Sequence, residues 1–112
     1  MPCTHEFGMI DELDKRKRYD EYEPHKYNCI AVEDDWIIEL LPDLSRMKTF
    51  FHSFDRPDFG LAYTGVTLIP VESLDLFYDV VTSSPHAHAL QELAQKIAQA
   101  KEQGKWMIHF GI

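Results

Sequence analysis

Residues 84–112 read SPHAHALQELAQKIAQAKEQGKWMIHFGI, and this stretch limits the fold more than any other in the chain. Ser84 is a good helix N-cap and Pro85 suits the first helical position. Gly104 is a natural stop. Between them Leu90, Leu93, Ala94, Ile97 and Ala100 recur at helical spacing as a narrow apolar stripe. Glu92 stands one turn before Lys96, the favourable order for an ion pair. The spacing predicts an amphipathic helix over about 85–103, a rod of roughly 27 Å. WMIHFGI then alternates strictly, with Trp106, Ile108, Phe110 and Ile112 on one face and Met107, His109 and Gly111 on the other. Only Gly104 and Lys105 join the two segments, so the helix must fold back on the strand 106–112. The bulky side, Trp106 to Ile112, is the one expected beneath it.

Upstream, helical and strand periods mix. YNCIAVE, residues 27–33, sets Ile30 and Val32 against Tyr27, Cys29 and Ala31, and two apolar faces belong to a strand inside a sheet. Asp34 and Asp35 end it and suit a cap for the short segment Trp36 to Leu41. Pro42 interrupts that segment and opens a short helical turn, PDLSRM. MKTFFHSF (47–54) and LAYTGVTLIP (61–70) flank the turn residues DRPDFG, which predicts an antiparallel hairpin. Gly65 inside the second arm marks a bulge or a close backbone approach. From Ser73, Leu74, Phe77, Tyr78 and Val81 fall at i, i+3, i+4 and i+7, a second helix. There is no regular βαβ rhythm. The expectation is one α+β domain over 1–112 with a mainly antiparallel sheet of about 4–5 strands, the long C-terminal helix on one face and a C-terminal strand 106–112.

Charge limits the partners. Eleven Lys and Arg against nineteen Asp and Glu leave a net charge of −8. A field of that sign repels phosphate backbones and anionic lipid, so nucleic acid and bare membrane are excluded as expected partners and a basic protein is favoured. The one biased stretch, DELDKRKRYDEYEPHKYN (11–28), holds a basic core, Lys15 to Arg18, between two acidic flanks. Neutralised by its own neighbours, that core is no nucleic-acid patch. Residues 11–26 are expected as a charged surface loop or short polar helix, with Tyr19, Tyr22 and Tyr27 pinning the stretch to the body. No basic leader with an apolar run is present, and no stretch approaches the roughly eighteen apolar residues of a spanning helix. The cytoplasm is the expected address, with the cysteines as reduced thiols.

Two loci carry the candidate chemistry. Cys3 and His5 share a face if residues 3–9 form a strand, and pairing with 27–33 would bring Cys29 and His25 toward them. Two thiolates and two imidazoles are a zinc ligand set, although C-x-H with H-x3-C departs from the usual finger and ribbon spacings. Free cysteine in apolar company also behaves as a small hydrophobe. In the turn HSFDRPDFG, His52, Arg56 and Asp58 could converge on an anionic ligand, with Arg56 as bidentate donor. His86 and His88 lie two apart near a helix start and do not face each other; His109 reads as a satisfied sheet histidine. Neither the phosphate-cradling glycine motifs nor the metalloprotease and hydrolase signatures occur. The expected function is a small acidic binding or interaction module without catalysis and without a cofactor, its surface formed by the acidic loop at Asp34–Asp35 and the tyrosine-rich stretch 19–27. The alternative is a metal-binding or small-ligand enzyme using Cys3, His5, His25 and Cys29. Self-association through the aromatic hairpin over 47–63 is a third reading.

Overall fold

The first and last strands lie side by side in one six-stranded sheet. The computed structural model describes residues 3–112. Its strands are β1 (Thr4–Met9), β2 (Ile30–Glu33), β3 (Lys48–Phe51), β4 (Pro57–Phe59), β5 (Val66–Ile69) and β6 (Met107–Phe110). All pairings are antiparallel, in the order β2-β1-β6-β5-β3-β4. Four helices complete the α+β domain: α1 (Asp34–Ile38), α2 (Leu41–Leu44), α3 (Leu74–Thr82) and α4 (Gln91–Gln103). No helix among the described residues is long and apolar enough to cross a membrane.

The C-terminal helix forms as expected, with a tighter start. Ser84 does act locally: its Oγ accepts the His86 N–H at 3.0 Å. That cap serves a turn, and a 3-10 segment, Ala87–Leu90, precedes α4. Gly104 ends the helix at φ 65°, and the Lys105 N–H reaches back to the Ala100 carbonyl at 2.9 Å. Lys96 makes no surface pair with Glu92. It is buried, and its Nζ donates to the Asn28 carbonyl at 3.0 Å, tying α4 to the chain just before β2.

The face under the helices is the opposite of the one expected. Register places Phe7, His109 and Thr67 in one row and Met9, Met107 and Ile69 in the next. That side packs with Leu74, Phe77 and Val81 of α3 and Leu93, Ile97 and Ala100 of α4 in one buried cluster. Ile108 and Phe110 belong to a second cluster with Val66, Leu68, Ile10 and Tyr19, against which Trp106 and Tyr27 pack. The bulky alternation of WMIHFGI was a sound sign of burial but not of its direction. Both faces of β6 are apolar, and the segment 10–29 covers the second one. Tyr19 is therefore a core residue in a polar stretch: its N–H donates to the His52 carbonyl at 2.6 Å and its hydroxyl accepts the Asp14 N–H at 3.1 Å.

The expected hairpin acquires an extra strand. β3 pairs with β5 as predicted, but the turn residues Pro57–Phe59 form β4 on its other edge. Pro57 and Asp58 blunt that edge against further pairing. Gly65 precedes β5 at φ 100°, and a Cβ there would stand 2.8 Å from His52 Nε2 and 3.0 Å from the Phe51 ring. The close approach, rather than a bulge, explains the glycine.

Tyr19→Ala separates a cover from a surface loop. Removing a buried aromatic should cost about 3 kcal/mol, comparable to Leu93→Ala in the opposite cluster. A surface residue would cost less than about 0.5 kcal/mol. Urea unfolding of the three proteins measures the difference.

Candidate functional site

At the end of the sheet where β1 begins and β6 ends, a polar chain crosses the helix-covered core. His5 and His109, both fully buried, face each other with Nδ1 of His5 2.8 Å from Nε2 of His109. His5 Nε2 lies 2.8 Å from Asp34 Oδ1, and the Tyr63 hydroxyl donates to Asp34 Oδ2 at 2.9 Å. His109 Nδ1 is 3.4 Å from Thr67 Oγ1, which accepts the Ala62 N–H at 2.9 Å. The carboxylate has no proton to give, so His5 Nε2 carries the hydrogen. With one proton on each ring, His109 then donates through Nε2 and accepts from Thr67 through Nδ1. Every side-chain donor in the chain points toward Asp34.

The electrostatics follow from that direction. The His5 hydrogen bond, then the Tyr63 hydroxyl, holds the Asp34 carboxyl below its ordinary range against some desolvation. Burial, followed by the facing His5, pushes His109 well below the usual imidazole value. Each imidazole has both nitrogens occupied, which is how a polar group is tolerated inside an apolar core. The chain joins β1, β6, β5, the start of α1 and the 60–65 loop. Asp34 was expected to cap its helix; its side chain serves His5 and Tyr63 instead, and the α1 N-terminus has no side-chain cap.

The four-residue zinc set is not assembled. β1 and β2 do pair antiparallel, but Thr4 opposes Glu33 and Phe7 opposes Ile30. Cys29 therefore falls level with Gly8, five positions along β1 from Cys3, or about 17 Å. A Cβ on Gly8 would meet Cys29 Sγ at 2.7 Å. Neither cysteine is disulfide-bonded, and no cluster of three His, Cys, Asp or Glu suited to a metal occurs among the described residues. His5 is committed to Asp34 and His109, and His25 is exposed on the 3-10 turn Pro24–Tyr27. Burial, with Glu6 adding to it, pushes the Cys29 thiol up to about 12, so it stays protonated at neutral pH.

The second predicted locus is only partly gathered. His52 stacks on Phe51 at 3.9 Å between ring centroids, and the Arg56 guanidinium lies 4.9 Å from the same ring. Burial, then the Arg56 charge, lowers the His52 imidazole. Asp58 faces away to its own strand, where its carboxylate accepts the Phe59 N–H at 2.8 Å. His86 packs on Trp36 and reaches Glu39 at 3.0 Å, while His88 stays exposed.

On the opposite face of the same sheet end is a groove of about 500 Å³. Val66, Phe110 and Ile112 give it apolar walls; Tyr22, Glu6 and Asp20 close its rim. The Tyr22 hydroxyl donates to the Glu6 carboxylate, which raises the phenol above its ordinary value, and the Tyr22 ring meets Phe110 edge-on at 5.5 Å. Among the described residues that line it there is no lysine or arginine. Tyr63 stands beside it, its carbonyl accepting the Ile112 N–H at 2.7 Å. A larger cleft of about 700 Å³ by α2 and α3 also bears carboxylates, Glu39, Asp43 and Asp79, but Arg46 shares it and no aromatic residue lines it.

Comparison with known proteins gives no match to a family model, to a curated protein or to a solved structure. Function is therefore read from the site itself.

The neutral, buried His109 has a pH consequence. Its folded value lies below the unfolded one, so the unfolded chain takes up the proton first as pH falls. This contribution to stability is complete above about pH 6.5 and declines below it by about 1 kcal/mol per pH unit. We expect urea unfolding of the native protein to show this loss between about pH 6.5 and 5, and His109→Gln to show less of it. Equal slopes in both proteins would remove His109 as the cause.

Proposed function

We propose that this protein is an acidic interaction module that binds a basic segment of a partner protein at the groove beside β1 and β6. The observation that supports it is one coincidence of place. Tyr22 and Ile112 are 67% and 40% exposed and line the groove with Glu6 and Asp20, of which Asp20 is paired with Arg18. An exposed aromatic beside Glu6, which forms no ion pair with lysine or arginine among the described residues, matches an interface core with a charged rim. Asp34, of the acidic loop expected as part of the surface, accepts the Tyr63 hydroxyl at the same sheet end. The net charge of −8 adds long-range attraction for a basic partner and repulsion for nucleic acid and anionic membrane. The cytoplasm remains the proposed address.

A catalytic reading has less support. The histidine chain ends at a buried threonine on one side and a carboxylate hydrogen-bonded to Tyr63 on the other. It orients and joins elements of the sheet end.

Fluorescence anisotropy with a labelled peptide of alternating arginine and leucine tests the proposal, with a glutamate–leucine peptide as control. Binding should weaken as salt rises from about 50 to 300 mM. Tyr22→Ala should cost at least about tenfold in affinity, or about 1.4 kcal/mol. Glu39→Lys in the larger cleft should change it less than threefold. Equal binding of both peptides, or a greater loss with Glu39→Lys, would contradict the assignment.

A further inference from the structure

We infer that the groove is an anchor pocket for one arginine side chain of the partner, held by the Glu6 carboxylate and the Tyr22 and Phe110 rings. This rests on the reading of the groove as a binding site for a basic segment, and it narrows that reading to one residue type.

The chemistry of the lining selects the side chain. Glu6 and Asp20 supply the carboxyl groups of the groove. Tyr22 presents exposed ring surface and Ile112 exposed aliphatic surface, over a floor of buried Phe110 and Val66. A guanidinium is planar, weakly hydrated and able to use two N–H groups on one carboxylate while lying against an aromatic face. An ammonium brings a stronger hydration shell and no planar fork, and an apolar side chain would leave the carboxylates facing an uncharged neighbour. At about 500 Å³ the space also accepts an apolar residue next to the arginine, against Ile112.

The protein already makes both halves of this contact, one of them at the groove rim. Arg18 donates through Nε to Asp20 Oδ2 at 3.2 Å, on exposed side chains at the rim. Arg56 lies over the Phe51 ring at 4.9 Å. Because Arg18 partly satisfies Asp20, Glu6 is the carboxylate left for an incoming cation. Among the described residues its side-chain hydrogen bond comes from the neutral Tyr22 hydroxyl. A guanidinium supplies stronger, charge-assisted donors and should displace that hydroxyl. Tyr22 would then act twice, as a ring that holds the arginine stem and as a hydroxyl that competes for its carboxylate.

The test uses the whole chain, isotopically labelled for NMR, and peptides of the form acetyl-Gly-Leu-X-Leu-Gly-amide with X as arginine, lysine or citrulline, the neutral isostere of arginine. We expect the arginine peptide to shift the amides of Glu6, Tyr22, Phe110 and Ile112. It should bind at least tenfold tighter than the citrulline peptide and at least threefold tighter than the lysine peptide. Glu6→Gln should bring arginine binding down to the citrulline level with the rest of the spectrum unchanged. Tyr22→Phe, which keeps the ring and removes the competing hydroxyl, should tighten arginine binding at least twofold. Equal arginine and lysine affinities with shifts confined to the groove would overturn the anchor and leave the basic-partner reading standing. Shifts at Glu39, Asp43 and Asp79, or none from either cationic peptide, would overturn both. Unchanged arginine affinity in Glu6→Gln would likewise overturn the anchor.

Discussion

A sheet that is apolar on both faces has to be covered twice, and this chain has one layer of helices. α3 and α4 occupy the side of Phe7, Met107 and Ile69. The side of Leu68, Ile108 and Phe110 would otherwise face water, and a few such side chains contribute roughly 2 kcal/mol each when buried. The polar segment between β1 and β2 supplies that cover by laying Tyr19, Ile10 and Tyr27 on it. The cover runs out near the end of β6. Past its edge the Tyr22 ring meets Phe110 beside the Tyr27 contact, and the groove is the space left there.

The same sheet end is held from the other face by buried polar groups. Hydrogen bonds from Asp34 through His5 and His109 to Thr67 span three neighbouring strands, where an apolar row would fit any neighbour. A buried polar row that is satisfied only in one register is a device for specificity as much as for stability. It fixes where β1 lies against β6 and where Tyr63 stands. The groove's walls inherit that position.

Local signals were legible and long-range ones were not. The stop at Gly104, the α3 periodicity and the antiparallel match of β3 with β5 follow from residues close in sequence, and all were readable there. β4 was missed because Pro57 in a turn-like string reads as a breaker, although an edge strand tolerates it. The covered face of β6 was misassigned because alternation gives two faces and no direction. Cys3, His5, His25 and Cys29 suggested one cluster since the pairing of β1 with β2 was foreseen without its register. The His5–His109 contact joins residues 104 apart. Its only sequence sign was an imidazole at an inward position on each of two strands not known to be neighbours. The tyrosine-rich stretch was visible as composition, and the contact of Tyr22 with Glu6 required the fold.

The most direct check on this architecture is a methyl and aromatic NOE experiment on the central strands. We expect cross-peaks from Tyr27 to Phe110 and from Phe54 to Trp106, with the Leu93 and Ile97 methyls reaching Met107 and Phe7. Cross-peaks from Leu93 or Ile97 to Ile108 or Phe110, with none from Tyr19 or Tyr27 to the sheet, would place the helices on the other face and contradict the account.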